Sequence, residues 1–329
     1  MGPLLLRLFG LLLLASALAL PLLQAPDRPV ESLVARWAPP PSEFIDLNGQ
    51  LVHYRDVGPR SDPVPIVLLH GTSASLHTWE GWAKALADQR RVISLDLPGF
   101  GLTGPFAGAY AVGPAGQAYS GEAYARFVLD LLDRLAVPRF VVAGNSLGGG
   151  VAWHLALLAP QRVAQLVLVD ALAYPVASAS LPLGWQFARL PLLGHLSEHF
   201  LPRPLVAQGL RAVYGHPAQV RGALVDRYFE LTLRAGNRAA LVQRLQHWSP
   251  AEGVDHVRGV TAPTLILWGG QDRLIPLANG RRLAADIAGS RLVVFDDLGH
   301  VPHEEDPART VAVVKDFLGL APSMTGPKR

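Results

Sequence analysis

The sequence predicts an α/β fold with a mostly parallel central sheet, helices on both faces and an inserted helical lid. Three observations indicate this fold. Apolar, β-branched runs alternate with helix-like segments between residues 66 and 169, the alternation stops over residues 171–259, and it resumes at residue 264. Such alternation is typical of a parallel sheet covered by helices. The chain has 329 residues, half of them hydrophobic, which is enough for one large domain of this class.

The first 25 residues are predicted to be a separate element. Residues 8–23 are almost wholly apolar and follow Met1 and Arg7, the pattern of an export segment with a short basic start. Counted from Leu4, the stretch has about 20 residues, enough to cross a bilayer. A cleaved signal peptide and an uncleaved membrane anchor both remain open. In either case we expect the catalytic domain outside the cytoplasm, whether membrane-anchored, periplasmic or secreted.

The other elements follow in chain order. Residues 26–43 are rich in Pro and predict a linker. Asn48-Gly49, between two alternating runs, indicates a hairpin turn. Strands are predicted at residues 66–69, 92–95, 140–143, 163–169, 263–268 and 291–295, with helices near residues 79–88, 119–136 and 149–158. Residues 44–170 and 260–320 therefore predict the α/β core. Residues 171–259 predict a lid of short helices near residues 185–193, 204–214 and 220–235.

Composition narrows the function. The net charge of +3 is spread thinly, so we expect no nucleic-acid partner. The absence of Cys excludes disulfides, thiolate chemistry and Cys-based zinc sites, and the 11 His are scattered, so we expect no metal and no cofactor. Residues 99–104 fit G-x-G-x-x-G, but they lie between Pro98 and Pro105 and do not open a helix, as a dinucleotide site requires. The oligomeric state stays open.

The most informative motif is G-x-S-x-G at residues 144–148, with Ser146 at its centre. It follows an apolar run and precedes a helix-like stretch, as expected for a serine on a strained strand–turn–helix. Side chains two residues either side of the serine would collide as strand and helix approach, and glycine avoids this. A serine hydroxyl needs a base to take its proton and a carboxylate to orient that base.

Both partners occur in the expected chain order. Asp272 follows the predicted strand at residues 263–268, and His300 follows the strand at residues 291–295. Because the carboxyl ends of parallel strands meet at one edge of a sheet, we expect both side chains near Ser146. Asp170 also ends a predicted strand and competes with Asp272 for the role of the acid.

Four motifs occur in order along the chain: His70-Gly71, residues 96–101, the serine turn, and Asp272 with Gly299-His300. With these motifs the chain resembles the α/β-hydrolase superfamily, in its serine-nucleophile, lid-bearing, esterase-like branch, over residues 44–318. The resemblance implies that Ser146 is the nucleophile, that His300 is the general base and acid, and that Asp272 orients His300. It also implies an oxyanion hole formed by the backbone N–H groups of Thr72 and Leu147.

The expected function is that of a serine hydrolase that cleaves a small to medium apolar carboxylic ester through an acyl-enzyme. The expected partners are that ester and, if the N-terminal segment is uncleaved, a membrane. A carbon–carbon bond hydrolase stays open because residues 272–276 are similar to that class, although residues 72–75 replace its usual Gly-rich sequence. A cofactor-free perhydrolase with the same triad and a catalytically silent binding protein on this fold also stay open.

Overall fold

The structure, a computed structural model, describes residues 24–111, 119–176, 180–247 and 254–320. It also describes five helical residues nearer the N-terminus: Arg7, Leu8, Gly10, Leu11 and Leu14. The predicted signal peptide or anchor over residues 1–25 lies almost wholly outside this part of the chain. Within the described part, no helix has both the length and the apolar character needed to cross a membrane.

An eight-stranded sheet forms the centre of the fold, which confirms the predicted fold class. Its strands are β1 (Ser42–Leu47), β2 (Gln50–Val57), β3 (Ile66–Leu69), β4 (Val92–Leu95), β5 (Phe140–Asn145), β6 (Val163–Val169), β7 (Thr264–Gly269) and β8 (Arg291–Phe295). The spatial order is β1-β2-β4-β3-β5-β6-β7-β8. The β1–β2 and β2–β4 pairs are antiparallel, and every later pair is parallel.

The α-helices of the described residues alternate with these strands in the core and follow one another in the insertion. They are α1 (Glu31–Trp37), α2 (Glu80–Leu86), α3 (Gly121–Arg134), α4 (Leu147–Leu158), α5 (Leu183–Ala188), α6 (Pro191–Ser197), α7 (Arg203–Val213), α8 (Gly222–Thr232), α9 (Asn237–His247), α10 (Leu277–Asp286), α11 (Pro302–Glu305) and α12 (Pro307–Phe317). Helices α5 to α9 lie between β6 and β7, within the segment predicted as a lid. Their role as a lid stays a prediction.

The parallel strands β3 to β7 are mostly apolar and almost wholly buried, as a covered parallel sheet requires; Ala164 and Gln165 of β6 are partly exposed. One face packs against α3 and α4, and the other against α2 and α12. The strand order reverses at β3, which lies between β4 and β5. Loops that leave the sheet at such a reversal enclose a crevice beyond the carboxyl ends of the strands. The loop after β3 and the turn after β5 therefore meet there.

The segment predicted as a Pro-rich linker is part of the packed body. It contains α1, whose Leu33 is 1% exposed and packs against Leu102 and Leu231. Before α1, Asp27 accepts a hydrogen bond from the buried guanidinium of Arg238, at 2.6 Å, and another from the backbone N–H of Gly236. The linker prediction relied on proline content, whereas the periodic apolar contacts of α1 determine where the segment lies.

Candidate active site

Ser146 occupies the sharp turn between β5 and α4. Its φ of 54° and ψ of −116° lie in a region that costs a non-glycine residue conformational energy, and such strain is held at functional turns by the surrounding structure. The flanking glycines explain how the turn closes. A methyl group at Gly144 would lie 2.6 Å from the backbone nitrogen of Gly149, and one at Gly148 would lie 2.5 Å from the carbonyl carbon of Leu69. Only glycine permits these approaches.

His300 and Asp272 form a hydrogen-bonded pair beside this turn. His300 follows β8 and Asp272 follows β7, and the imidazole Nδ1 lies 2.7 Å from Asp272 Oδ2. The other carboxylate oxygen accepts the backbone N–H groups of Leu274 and Ile275 at 2.8 and 2.9 Å. Because an ionised carboxylate only accepts hydrogen bonds, Nδ1 carries the hydrogen and Nε2 is left with its lone pair. In its neutral tautomer the ring is therefore able to take a proton at Nε2.

The loop that carries His300 is held from three sides. The backbone N–H of His300 donates to the carbonyl of Val213, at the end of α7, at 2.7 Å. The carbonyl of His300 accepts a hydrogen bond from the side-chain amide of Asn145 at 2.9 Å. The N–H of the preceding Gly299 donates to the buried carboxylate of Glu305 at 2.8 Å. Sequence reasoning missed Asn145 and Glu305. The only signal for Asn145 was its place directly before Ser146.

A cavity of about 440 Å³ opens at the turn, and both Ser146 and His300 line it. This volume lies in the usual range for small-molecule sites. The core contributes Gly71, Thr72 and Asn145, and the helical insertion contributes most of the apolar wall. That wall includes Leu181, Leu183, Trp185, Phe200, Leu201, Leu205, Val206, Leu210, Leu241 and Val242. Three aromatic residues of the insertion, Trp185, Phe200 and Tyr228, line the cavity.

The two predicted oxyanion donors flank the serine. Leu147 is the first residue of α4, so its N–H has no acceptor one turn earlier in the helix, and the positive end of the helix dipole lies beside it. Thr72 lines the cavity in the loop after β3. A methyl group built on its neighbour Gly71 would lie 3.1 Å from Ser146 Cβ, so this loop contacts the serine directly. The roles of Thr72 and Leu147 stay predictions.

Two other histidines, His70 and His303, have structural surroundings. His70 is fully buried; its Nδ1 donates to the carbonyl of Gly71 at 2.7 Å and its Nε2 accepts the N–H of Leu97 at 2.9 Å. Burial lowers the pKa of His70 and keeps the ring neutral. His303 is buried in α11 with its ring centroid 4.0 Å from that of Trp79. Neither ring lines the cavity.

Asp170, the competing acid, lies next to the pair. Single ligand atoms of Asp170, Asp272 and His300 all lie within 4.8 Å of one another. This grouping resembles the spacing of metal ligands. We interpret it as a hydrogen-bonded network, because His300 and Asp272 are joined directly. The structure therefore brings Ser146 and His300 to one cavity, joins Asp272 to His300 by a hydrogen bond, and places Asp170 next to this pair and outside the cavity lining.

Comparison with known proteins supports the same class. A family model described as alpha/beta hydrolase fold matches residues 64–307. An uncharacterized protein of Mycobacterium tuberculosis is 30% identical over 309 residues, which cover 88% of this chain and 84% of that protein. The 2-hydroxymuconate semialdehyde hydrolase of a Pseudomonas species is 29% identical over 283 residues, which cover 78% of this chain and 87% of that protein. The solved structure of a hydrolase from Pseudomonas aeruginosa has a TM-score of 0.69 at 28% identity, covering 85% of this chain and 99% of that chain.

Because the family model spans most of the sequence, the chain belongs to the α/β-hydrolase fold family. The fold and the names of its relatives support a hydrolase as the class of protein.

Proposed function

We propose that the chain is a serine hydrolase that cleaves a small to medium apolar carboxylic ester. The observation that carries this proposal is the convergence of a strained serine and a hydrogen-bonded His–Asp pair on one cavity with a largely apolar wall. The catalytic roles of Ser146, His300 and Asp272 are part of the proposal. Chemistry of this kind requires no metal or cofactor.

In the proposed mechanism Ser146 Oγ attacks the ester carbonyl while His300 Nε2 takes the hydroxyl proton. Asp272 holds Nδ1–H and stabilises the imidazolium that forms. The carbonyl oxygen becomes an oxyanion that the N–H groups of Thr72 and Leu147 stabilise, and such a donor is worth about 100- to 1000-fold in rate. His300 then protonates the leaving alcohol. Water, activated by the same imidazole, releases the acid and restores the serine.

The apolar wall supports the substrate class. A cavity of about 440 Å³ accommodates a molecule of modest size, and its Leu, Val and aromatic lining favours apolar groups. The deciding experiment measures hydrolysis of p-nitrophenyl esters of graded acyl length by the purified chain and by Ser146→Ala. We expect saturable turnover that Ser146→Ala abolishes while its circular dichroism and melting temperature stay close to those of the parent. Full activity in the variant would refute the proposal.

A fluorophosphonate probe distinguishes an enzyme from a silent binding protein. Such a probe labels only a serine that a neighbouring base activates. We expect labelling at Ser146 and its loss in both Ser146→Ala and His300→Ala. A folded chain that resists labelling would favour the binding protein.

Carbon–carbon bond hydrolysis is the second candidate, favoured by the likeness to a 2-hydroxymuconate semialdehyde hydrolase. The same triad would serve it. Assaying that semialdehyde beside the ester series compares kcat/KM for the two bonds on one enzyme. A kcat/KM at least tenfold higher for the semialdehyde would replace the ester proposal. Peroxide-dependent halogenation by the chain, measured without added cofactor, would instead indicate a perhydrolase.

Export of the catalytic domain is also part of the proposal. It is supported by the basic start and the apolar run of residues 8–23. Fractionation of the native host followed by intact-mass measurement distinguishes a cleaved signal from a retained anchor. A full-length chain recovered from the cytosol would contradict export.

A further inference from the structure

Asp170 is fixed between two strand ends behind the proposed triad. It follows β6 directly, is 0% exposed, and has a φ of 43°. Its backbone N–H donates to the carbonyl of Leu267 at 3.0 Å, and its Oδ1 accepts the N–H of Gly269, the last residue of β7, at 2.9 Å. Both ends of the residue are therefore anchored to β7, the strand that leads into Asp272.

The second carboxyl oxygen of Asp170 has no conventional partner. Oδ2 is buried and accepts no hydrogen bond from any residue that the structure describes. The ionisable groups that face it are the carboxylates of Asp272 and Glu305 and the imidazole of His300. Asp272 and Glu305 offer only acceptors when ionised. Oxygens of Asp170 and Asp272 lie within 4.8 Å of each other in a buried site, where two ionised carboxylates would repel, and this favours a proton on one of them.

Asp170 is the member that keeps the proton. Burial, and then the negative charge of Asp272, raise the pKa of Asp170 well above its ordinary value. Asp272, by contrast, already accepts hydrogen bonds from His300 and from two backbone N–H groups, so both of its oxygens are used as acceptors. A protonated carboxyl group has one O–H donor, and a hydrogen bond from this donor to Asp272 would give the buried Oδ2 of Asp170 a partner.

We propose that Asp170 is a positioning residue, a neutral carboxylic acid that donates a hydrogen bond to the Asp272 carboxylate and so holds the acceptor of His300 in place. The inference depends on the proposed function of the triad. Asp170 does not line the cavity, so it acts only through Asp272. A hydrogen bond from a neutral acid to a carboxylate is among the stronger kinds in a protein.

The test compares Asp170→Asn with Asp170→Ala. Asparagine retains an N–H donor for Asp272 and an oxygen for Gly269 N–H, whereas alanine retains neither. We expect kcat of Asp170→Ala to fall by about ten- to a hundredfold with little change in KM. A loss of this size corresponds to the free energy of one hydrogen bond to a charged group. We expect Asp170→Asn to recover most of that loss. Equal kcat values for Asp170→Ala and the parent would overturn the inference.

The pH profile distinguishes positioning from a general structural role. Since a neutral acid and an amide carry the same charge, Asp170→Asn should leave the midpoint of the acidic limb of kcat/KM unchanged. If Asp170 were ionised, its replacement would remove a negative charge near the imidazole and lower that midpoint, which would overturn the inference. As a control, Asp46→Ala removes a carboxylate that also accepts a backbone N–H, from Gly49 at 3.2 Å, but in the distant hairpin. It should leave kcat and the profile unchanged.

Infrared spectroscopy gives a readout that does not depend on activity. At neutral pH the difference spectrum between the parent and Asp170→Asn should contain the carbonyl band of one protonated carboxyl group, and its absence would overturn the inference. Fluorophosphonate labelling of the parent separates the two proposals. A parent that is not labelled would refute the proposed triad. A parent that is labelled and active, together with an Asp170→Ala variant of unchanged kcat, would refute only the role of Asp170.

Discussion

Substitution of Gly148 by alanine tests whether the close approach of helix α4 to strand β3 sets the geometry of the proposed site. A methyl group there would overlap the carbonyl oxygen of Leu69 and would lie 2.5 Å from its carbon and 2.7 Å from the carbonyl oxygen of His70. Ordinary contact begins near 3.4 Å, so the methyl cannot fit unless backbone moves. The atoms in its way belong to the end of β3 and the start of the loop that carries Thr72.

The size of the loss in activity follows from the difference between these short distances and ordinary contact. The helix and the strand end must separate by roughly 1 Å, and a misplacement of that size at a catalytic site costs about 100-fold in rate. The loss should fall on kcat, because the oxyanion donor at Thr72 withdraws from Ser146 while the apolar wall that binds substrate is untouched. Overpacking of this kind also destabilises a fold by about 1–3 kcal/mol.

The assay combines p-nitrophenyl ester kinetics with urea unfolding. Gly150→Ala is the matched control, two residues later in the same helix, where a methyl group would meet the carbonyl oxygen of Leu172 at 3.0 Å and its Cβ at 3.8 Å. Alanine is favoured over glycine in a helix by up to about 1 kcal/mol, which offsets this milder contact. We expect Gly150→Ala to keep kcat within about twofold. A Gly148→Ala variant as active as Gly150→Ala would refute the reasoning.

Three further predictions follow from buried polar groups. Because the pKa of Asp170 is raised on folding, the free energy of unfolding of the parent should fall relative to that of Asp170→Asn as the pH rises. The expected slope is about 1.4 kcal/mol per pH unit, from about pH 4 up to the pKa of the folded state. A difference between the two free energies that urea unfolding finds constant from pH 4 to 8 would contradict this. Asn145→Ala removes the amide that holds the His300 carbonyl, so it should cost about 1–3 kcal/mol in urea unfolding and lower kcat more than it raises KM; an unchanged kcat would contradict this. Asp56→Ala leaves the buried guanidinium of Arg91 without its bidentate partner, so it should cost about 3–5 kcal/mol while kcat stays unchanged, and a stability loss below 1 kcal/mol would contradict this.

Local patterns predicted the core of the fold well. The strands at residues 92–95 and 163–169 have the predicted bounds, because a largely buried parallel strand is a short, mostly apolar run between polar ends. The Asn48-Gly49 turn has positive φ at both residues, as the hairpin turn expected there requires. In these elements the determinants are neighbours in sequence, so a short window contains the relevant physics.

Elements that depend on distant contacts were predicted less well. The linker prediction missed α1, which is seven residues long and packs through Leu33 onto the body. A helix this short is marginal in isolation, so its tertiary contacts decide whether it forms. One lid helix predicted near residues 185–193 is two helices, α5 and α6, and the second begins at Pro191, which is favoured at the start of a helix and not in its interior.

The choice between Asp170 and Asp272 shows where sequence reasoning about the site reaches its limit. Both carboxylates follow parallel strands, β6 and β7, that are neighbours in the sheet, so topology brings both to the same place behind His300. Chain order alone leaves the two equivalent. The difference lies in the second oxygen of each group. Asp272 directs one oxygen to the imidazole and satisfies the other with two backbone N–H groups, whereas Asp170 has one N–H for two buried oxygens. Burial and the neighbouring Asp272 raise the pKa of Asp170, which is why Asp170 is the one of the two that we propose to be protonated.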